Sequence, residues 1–263
     1  MTISYAALSL GKSSQSLGVN MDAGASNNYE GSDLEALSTL GRYQNWIIQN
    51  FRPYLRGRAV EFGAGLGNIS ALLKPHVSKL DLVEPSVNLA ARLETRFVGD
   101  DSIQVFAEPL EKRIPDTGDE AYDSVVLVNV LEHIKDDAAA LSGLMRILRP
   151  GCHLLLFVPA LKFLYSDLDA LHGHYRRYEL GELNAHTEAA GFEIIQSRYF
   201  DAVGVLPWYL LNTLLGATAF NPFMVRIYDA VLAPLSRGID RMITPPFGKN
   251  ILLVAKRPDV PSS

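Results

Sequence analysis

Two stretches of this sequence are apolar at consecutive rather than alternate positions, within DSVVLVNV (residues 123–130) and HLLLFVPA (153–160). A strand with one wet face alternates, whereas a strand covered on both faces does not, so each run predicts a central strand lying under helices. RAVEF, KLDLVEP, SIQVFAE, FEIIQSRYF and NILLVAKRP are further strand candidates. Helical patterns separate most of them: residues 68–76, SVNLAARLETRF, DAAALSGLMRIL and ELGELNAHTEAAG. A lead-in helix is marked by Leu34, Leu37, Leu40, Trp46, Ile47 and Phe51, and is broken at Pro53. This alternation predicts an α/β fold, a seven-stranded and mostly parallel sheet sandwiched by helices. At 263 residues the chain can bury one such core and carry an appended segment.

RAVEF runs directly into GAGLGN and then into a helix. Strand, glycine-rich turn and helix is a layout in which backbone N–H groups can face a ligand. Gly63, Gly65 and Gly67 make a GxGxG spacing, with Glu61 two residues ahead of the first glycine. A dinucleotide fingerprint is GxGxxG and would place its third glycine at position 68, where Asn68 stands. The shifted spacing suits a nucleoside that carries no phosphates. Glu61 would then attract a cationic ligand, or else serve as a structural cap.

Four pieces follow one another: the glycine turn, Glu84 ending the second strand, NVLEHI ending the fourth, and LRPG ahead of the fifth. Together they resemble the class I S-adenosylmethionine-dependent methyltransferase family, of the small-molecule type, over roughly residues 40–200 and the final strand. The resemblance implies a Rossmann-like sheet, S-adenosylmethionine as cofactor and methyl transfer as activity. It implies a cofactor pocket built from Glu61, Gly63, Ala64, Gly65, Gly67 and Asn68, with Glu84 and Pro85 one strand over. An ionised carboxylate only accepts hydrogen bonds, so Glu84 can take both hydroxyls of a ribose. Many relatives place an Asp after the third strand. Here FAEPLEK leaves the adenine edge to Glu108 or to the backbone around Pro109 and Leu110. Asn129 and Val130 fall where relatives meet the methionine part of the cofactor.

Candidates for the acceptor side lie further along. His133 of LEHI is placed to orient an acceptor or take its proton, or to be a structural helix-start histidine. Relatives carry a stretch similar to LHGHYRRYEL (171–180). His174 and Tyr175 are candidates to act on an acceptor hydroxyl, and Arg176 and Arg177 to hold a carboxylate or phosphate. The competing reading is a structural loop in which an arginine clasps Asp167 or Asp169. No metal is expected, because no nearby Cys/His set completes a site with His172 and His174. Tyr43 and Trp46 of the lead-in helix either close over the cofactor, with Tyr43 among the residues that would meet the substrate, or pack in the core.

Between the last two strands about fifty residues replace the usual short turn. Residues 202–225 of this insertion (about 201–248) carry no charge, yet Pro207, Asn212, Gly216 and Pro222 interrupt them. Two short helices over the active-site end of the sheet, with Trp208 facing an acceptor, are the expected form. A shallow membrane-contacting hairpin is the alternative, with Arg226, Arg237, Arg241 and Lys249 against anionic head groups or simply solvating the surface. The N-terminal segment, 1–32, is rich in Ser, Gly, Ala and Asn and reads as flexible, leaving 33–263 as the methyltransferase domain. The net charge of −5 argues against nucleic acid as partner, and the single Cys152 excludes an intrachain disulfide and fits a reducing, cytoplasmic setting. The expected activity is O-methylation of a small, partly hydrophobic acceptor, with His133 or His174 as base where the acceptor needs one. A membrane-associated enzyme acting on a lipid-linked or glycan intermediate and a non-catalytic cofactor-binding partner are the alternatives.

Overall fold

The computed structural model describes residues 28–29 and 33–259. Apart from residues 28–29, the segment expected to be flexible lies outside them. Seven strands form one sheet: β1 (Arg58–Phe62), β2 (Lys79–Val83), β3 (Ile103–Phe106), β4 (Tyr122–Val128), β5 (Leu148–Pro159), β6 (Glu193–Phe200) and β7 (Asn250–Lys256). Their order is β3-β2-β1-β4-β5-β7-β6, parallel from β3 to β5, with β7 antiparallel to both of its neighbours. The mostly parallel α/β sheet expected from the sequence is therefore present. β7, the last strand in the chain, is slotted inside β6, which forms the edge.

The helices are α1 (Asp33–Leu37), α2 (Gly41–Phe51), α3 (Asn68–Leu73), α4 (Val87–Arg96), α5 (Leu110–Asp116), α6 (Asp137–Ile147), α7 (Asp167–Leu171), α8 (Leu180–Ala189), α9 (Val205–Trp208), α10 (Pro222–Ile227) and α11 (Ala233–Met242). Period-two side-chain alternation splits the core into two layers. Val125, Leu127, Leu154, Leu156 and Val158 pack with α5, α6 and α8, whereas Val126, Leu155 and Phe157 pack with α2, α3, α4 and α11. All eight of these strand residues are fully buried, as the unbroken apolar runs require.

LRPG does not precede the fifth strand but lies within it. The pairing steps from Tyr122↔Leu148 to Ser124↔His153, so residues 149–152 bulge out, with Gly151 at φ 72°. The insertion leaves after Phe200 and returns at Asn250, and those two residues face each other across the sheet. It forms two helical stretches as expected, but the second is longer, running from α10 through a wide π turn (Tyr228–Leu232) into α11. Pro234 has no N–H for the carbonyl four residues back, at Ala230, and the Arg42 guanidinium donates to that carbonyl instead (2.9 Å). The carboxylate of Asp229 accepts the free backbone N–H groups of Arg42 (3.2 Å) and Tyr43 (2.9 Å), capping α2.

Candidate active site

The turn from β1 to α3 is folded back on β2. Gly63 and Ala64 donate backbone N–H groups to the Val83 carbonyl at 2.8 and 3.2 Å. Gly63 sits at φ 70°, and a Cβ there would stand 2.4 Å from Val130 Cγ2, so only glycine fits. Above Gly65 the nearest side-chain atom to a built Cβ is Leu34 Cδ1, at 3.8 Å, which leaves the backbone open to a ligand. The Gly65 N–H donates to Glu84 Oε2 (2.8 Å) and the Ser86 N–H to Oε1 (3.0 Å). Turn and second-strand acid are thereby one unit, and each carboxylate oxygen keeps a lone pair for a further donor. Burial raises the Glu84 carboxyl above its usual range, against the pull of those backbone donors. Glu61 is 2% exposed and accepts from the Ser70 hydroxyl at 2.5 Å; burial pushes it up to about 8, opposed by the Ser70 bond.

Asn129 is exposed just beyond β4 at φ 53°, its N–H given to the Phe157 carbonyl (2.8 Å), with Val130 closing on Gly63. Glu108, the adenine candidate, is held in ion pairs to Arg113 (3.5 Å) and Lys112 (3.6 Å), and Leu110 is buried at the start of α5. Glu61, Glu84, Asn129, Val130 and the glycine turn all belong to the carboxyl-terminal rim of β1, β2 and β4. An open rim with two acidic side chains, whose ionised forms a neighbouring cation would favour, fits a positively charged nucleoside.

On the same rim, a single 3₁₀ turn (Leu131–His133) carries Glu132 and His133 beneath the loop 172–179. The His133 and His174 rings meet edge to face with centroids 4.6 Å apart. His133 is lowered to about 3 by burial and by its two histidine neighbours, against a hydrogen bond to the Gly173 backbone. His174 Nδ1 bonds Asp169 Oδ1 at 2.9 Å. Asp169 is 1% exposed; burial would raise it, but His174 and Arg177 hold it down at about 2. Arg177 is itself 2% exposed, with Nε and Nη2 on Asp169 and Nη1 on the Ala160 carbonyl. It is thus the clasp that shapes the loop, and is not presented to an acceptor. Arg176 binds Asp137 (2.8 Å) and the Lys135 carbonyl (2.7 Å), and Tyr175 is exposed. Beside them Glu132 is fully buried, and neither of its oxygens has a hydrogen-bond partner. Local spacing hides Glu132 as a companion of His174, since the two stand 42 positions apart in the chain.

Tyr43 is turned inward. Its hydroxyl donates within reach of Asp201 (3.2 Å) and Asn250 (3.0 Å), and its ring packs edge-on to Trp46, Phe157 and Phe200. Asp201 also accepts from the Tyr228 hydroxyl and the Gly204 N–H (3.1 Å), and pairs with Lys249 (3.4 Å). The Lys249 ammonium lies 5.2, 5.7 and 4.8 Å from the Tyr43, Trp208 and Tyr228 ring centres. Lys249 therefore does not solvate the surface but sits in an aromatic cage at the base of the insertion. Trp208 donates its indole N–H to the Leu164 carbonyl (3.1 Å) and carries the Arg177 guanidinium on its ring at 4.5 Å, tying the insertion to the histidine loop.

A doubly wound sheet with its last strand reversed, and an acidic glycine-turn pocket at its rim, defines a class I methyltransferase-like protein. Residues 40–197 match the family model described as Methyltransferase domain, and the chain belongs to that family. Among solved structures, YcgJ from Bacillus subtilis superposes with TM-score 0.57 at 15% identity, covering 82% of this chain and 99% of that one. The S-adenosylmethionine dependent methyltransferase from Mesorhizobium loti gives 0.56 at 16%, covering 80% and 95%. The cyclase SpnF gives 0.56 at 16%, covering 84% and 82%. At such identities these likenesses show the fold alone, and the cyclase shows that the fold also carries other chemistry. No curated protein matches the sequence significantly.

Proposed function

We propose that the chain transfers a methyl group from S-adenosylmethionine to an oxygen of a small, partly hydrophobic acceptor. The observation that carries this reading is the Gly65 N–H to Glu84 bond, which sets a ribose-accepting carboxylate directly beside the open turn. When bound, the cofactor supplies an electrophilic methyl group on a sulfonium. Glu84 would hold the ribose hydroxyls, and Glu61 would lend the pocket negative potential in its ionised form. Ala64, Gly67, Asn68, Pro85, Asn129 and Val130 would contact the rest of the cofactor, with Glu108 or the backbone at Leu110 at the adenine edge. His133 and His174 would orient the acceptor oxygen, and Tyr175 is the exposed group that completes the entrance. The insertion would act as a lid whose apolar side chains exclude water. Calorimetry tests this: Glu84→Ala should weaken S-adenosylmethionine at least tenfold. Equal affinity in both proteins, or saturation by NADH instead, overturns the assignment.

A second reading, in which the acceptor is lipid-linked and met at a membrane surface, is favoured by one observation. Fourteen of the twenty exposed large apolar side chains among the described residues lie between Leu206 and Phe247, with Leu214, Leu215 and Phe223 each more than 60% exposed. That exceeds the scatter of single apolar residues expected on a soluble surface. A groove of about 460 Å³ lined by Arg42, Arg237 and Arg241 runs alongside α11, where anionic head groups could sit. No helix among the described residues is long and apolar enough to cross a membrane, so the contact would be peripheral. Flotation with phosphatidylglycerol vesicles should retain the protein, and a Leu214→Glu/Leu215→Glu variant should be released. Equal flotation of both removes this reading.

A further inference from the structure

We infer that Glu132, His133 and His174 form a binding site for a divalent transition-metal ion. One ligand atom from each residue lies within 4.8 Å of the other two. Donors around a single ion at bond lengths of about 2.0–2.2 Å are roughly 3 Å apart, so rotamer adjustments alone would close the set.

Glu132 carries the argument. Its carboxylate is fully buried, both oxygens lack a hydrogen-bond partner, and the nearby guanidinium of Arg177 is committed to Asp169 and Ala160. A buried polar group left unpaired in this way is a rarity that calls for a missing partner. The backbone holds the residue in place regardless: the Tyr175 N–H donates to the Glu132 carbonyl at 2.8 Å, binding the 3₁₀ turn to the histidine loop. The backbone thus keeps the carboxylate under His174 with nothing of its own to bond.

His174 is set up as a ligand. Its Nδ1 is engaged by Asp169 at 2.9 Å, which leaves Nε2 as the ring nitrogen that Asp169 does not hold. A carboxylate behind the far ring nitrogen is the arrangement that orients metal-bound histidines and raises their basicity. Asp169 is in turn fixed by the Ser166 N–H and hydroxyl (both 2.9 Å) and by Arg177. The His133 ring is perpendicular to that of His174 at 4.6 Å, a separation that admits a shared ion.

Two imidazoles and one carboxylate select Mn²⁺, Fe²⁺, Co²⁺, Ni²⁺ or Zn²⁺ over Mg²⁺ and Ca²⁺, which prefer all-oxygen shells. Three protein ligands leave positions open. Asn129 and Val130 immediately precede the turn, so those positions face the cofactor rim, where an acceptor hydroxyl or carboxylate would complete the shell. That last placement rests on the methyl-transfer reading; the metal site does not.

Tag-free protein, stripped with a chelator and dialysed, is titrated with Co²⁺ and followed by its visible absorption bands, with Zn²⁺ and Mn²⁺ titrated by calorimetry. One ion per chain is expected, with Kd in the micromolar range or below. Glu132→Gln and His174→Ala should each weaken it at least a hundredfold, with circular dichroism unchanged, while His153→Ala, remote from the site, binds as wild type. If a variant is misfolded, a rise in wild-type Tm on adding Zn²⁺ that His133→Ala lacks serves in its place. No saturable binding of any of the three ions, or equal binding in Glu132→Gln and His174→Ala, overturns the site. Neither readout needs cofactor or acceptor, so failure here leaves the S-adenosylmethionine titration to stand or fall by itself.

Discussion

Replacing Asp201 by Asn should be among the most damaging single changes in this protein. The substitution keeps side-chain size and suits the local backbone, since Asp201 lies at φ 65°, a region that Asn tolerates and Ala does not. Only the charge and half of the acceptor capacity are lost. The carboxylate lies 3.4 Å from the Lys249 ammonium, a Coulombic attraction of about 5 kcal/mol at an effective dielectric constant near 20. It also serves the hydroxyls of Tyr43 and Tyr228 and the Gly204 N–H. Lys249 is closed in by three aromatic rings, and burial already lowers its basicity, so shedding its proton limits the damage. Removing one partner of a buried pair typically costs about 3–5 kcal/mol, and we expect a loss in that range. Urea unfolding followed by tryptophan fluorescence is well placed to read it. The chain has two tryptophans: Trp208 borders Lys249, and Trp46 packs against Tyr43. With a slope of about 1–3 kcal/mol per molar urea, the midpoint should fall by roughly 2 M. Lys249→Met should be milder, because Asp201 keeps its other donors, and the double variant should be more stable than Asp201→Asn alone. A loss below about 1 kcal/mol, or strictly additive effects in the double variant, would refute the account.

Gly63→Val forces a branched side chain onto φ 70° and into Val130, and should lower stability by about 2 kcal/mol or more; an unchanged Tm would mean the turn relaxes freely. Glu61 gives a pH signature. Its folded-state value, about 8, lies above the ordinary 4.5, so its contribution to stability is complete below pH 4.5 and is lost as pH rises through 8. Without cofactor, stability should decline over that window by up to about 1.4 kcal/mol per pH unit, and Glu61→Gln should flatten the decline in a series of thermal melts. Truncating the cap of the second insertion helix, Asn221→Ala, removes the acceptor for the Phe223 and Met224 N–H groups and should cost about 1 kcal/mol in chemical denaturation.

The sheet was readable because its information is local. Val125–Val128 and Leu154–Val158 announce double-sided burial within a handful of residues, and the glycine turn after Glu61 shows in its spacing, while Glu84 was placed beside it by the family resemblance. What escaped depends on pairings between distant segments. Nothing in NILLVAKRP says that β7 enters between β5 and β6 rather than extending the edge. For Arg177 the sequence left two readings open, an anion ligand or a clasp on Asp167 or Asp169, and the choice of Asp169 is made only once α7 and its capping box form. Glu132 drew no notice beside His133, since its distinction lies in lacking partners, a property that sequence cannot express. Core packing was one of two readings for Tyr43 and is the one realised, whereas Lys249 was expected at the surface and three aromatic rings and Asp201 draw it inside. LRPG was expected ahead of the fifth strand, but the strand begins at Leu148, absorbs Pro150-Gly151 as a bulge and continues.

Phe200 stands opposite Asn250, so the excursion that carries the apolar surface begins and ends at touching points on the rim. Closing a loop whose feet are already joined depends weakly on how much chain lies between, with each doubling adding only about 0.6 kcal/mol. Asp201 and Lys249 occupy those feet. Trp208, Tyr228 and Asp229 belong to the scaffold as well, caging Lys249 and capping α2. Only the exposed stretch between Tyr209 and Ile227 could be recut, naturally or by engineering, without undoing those contacts.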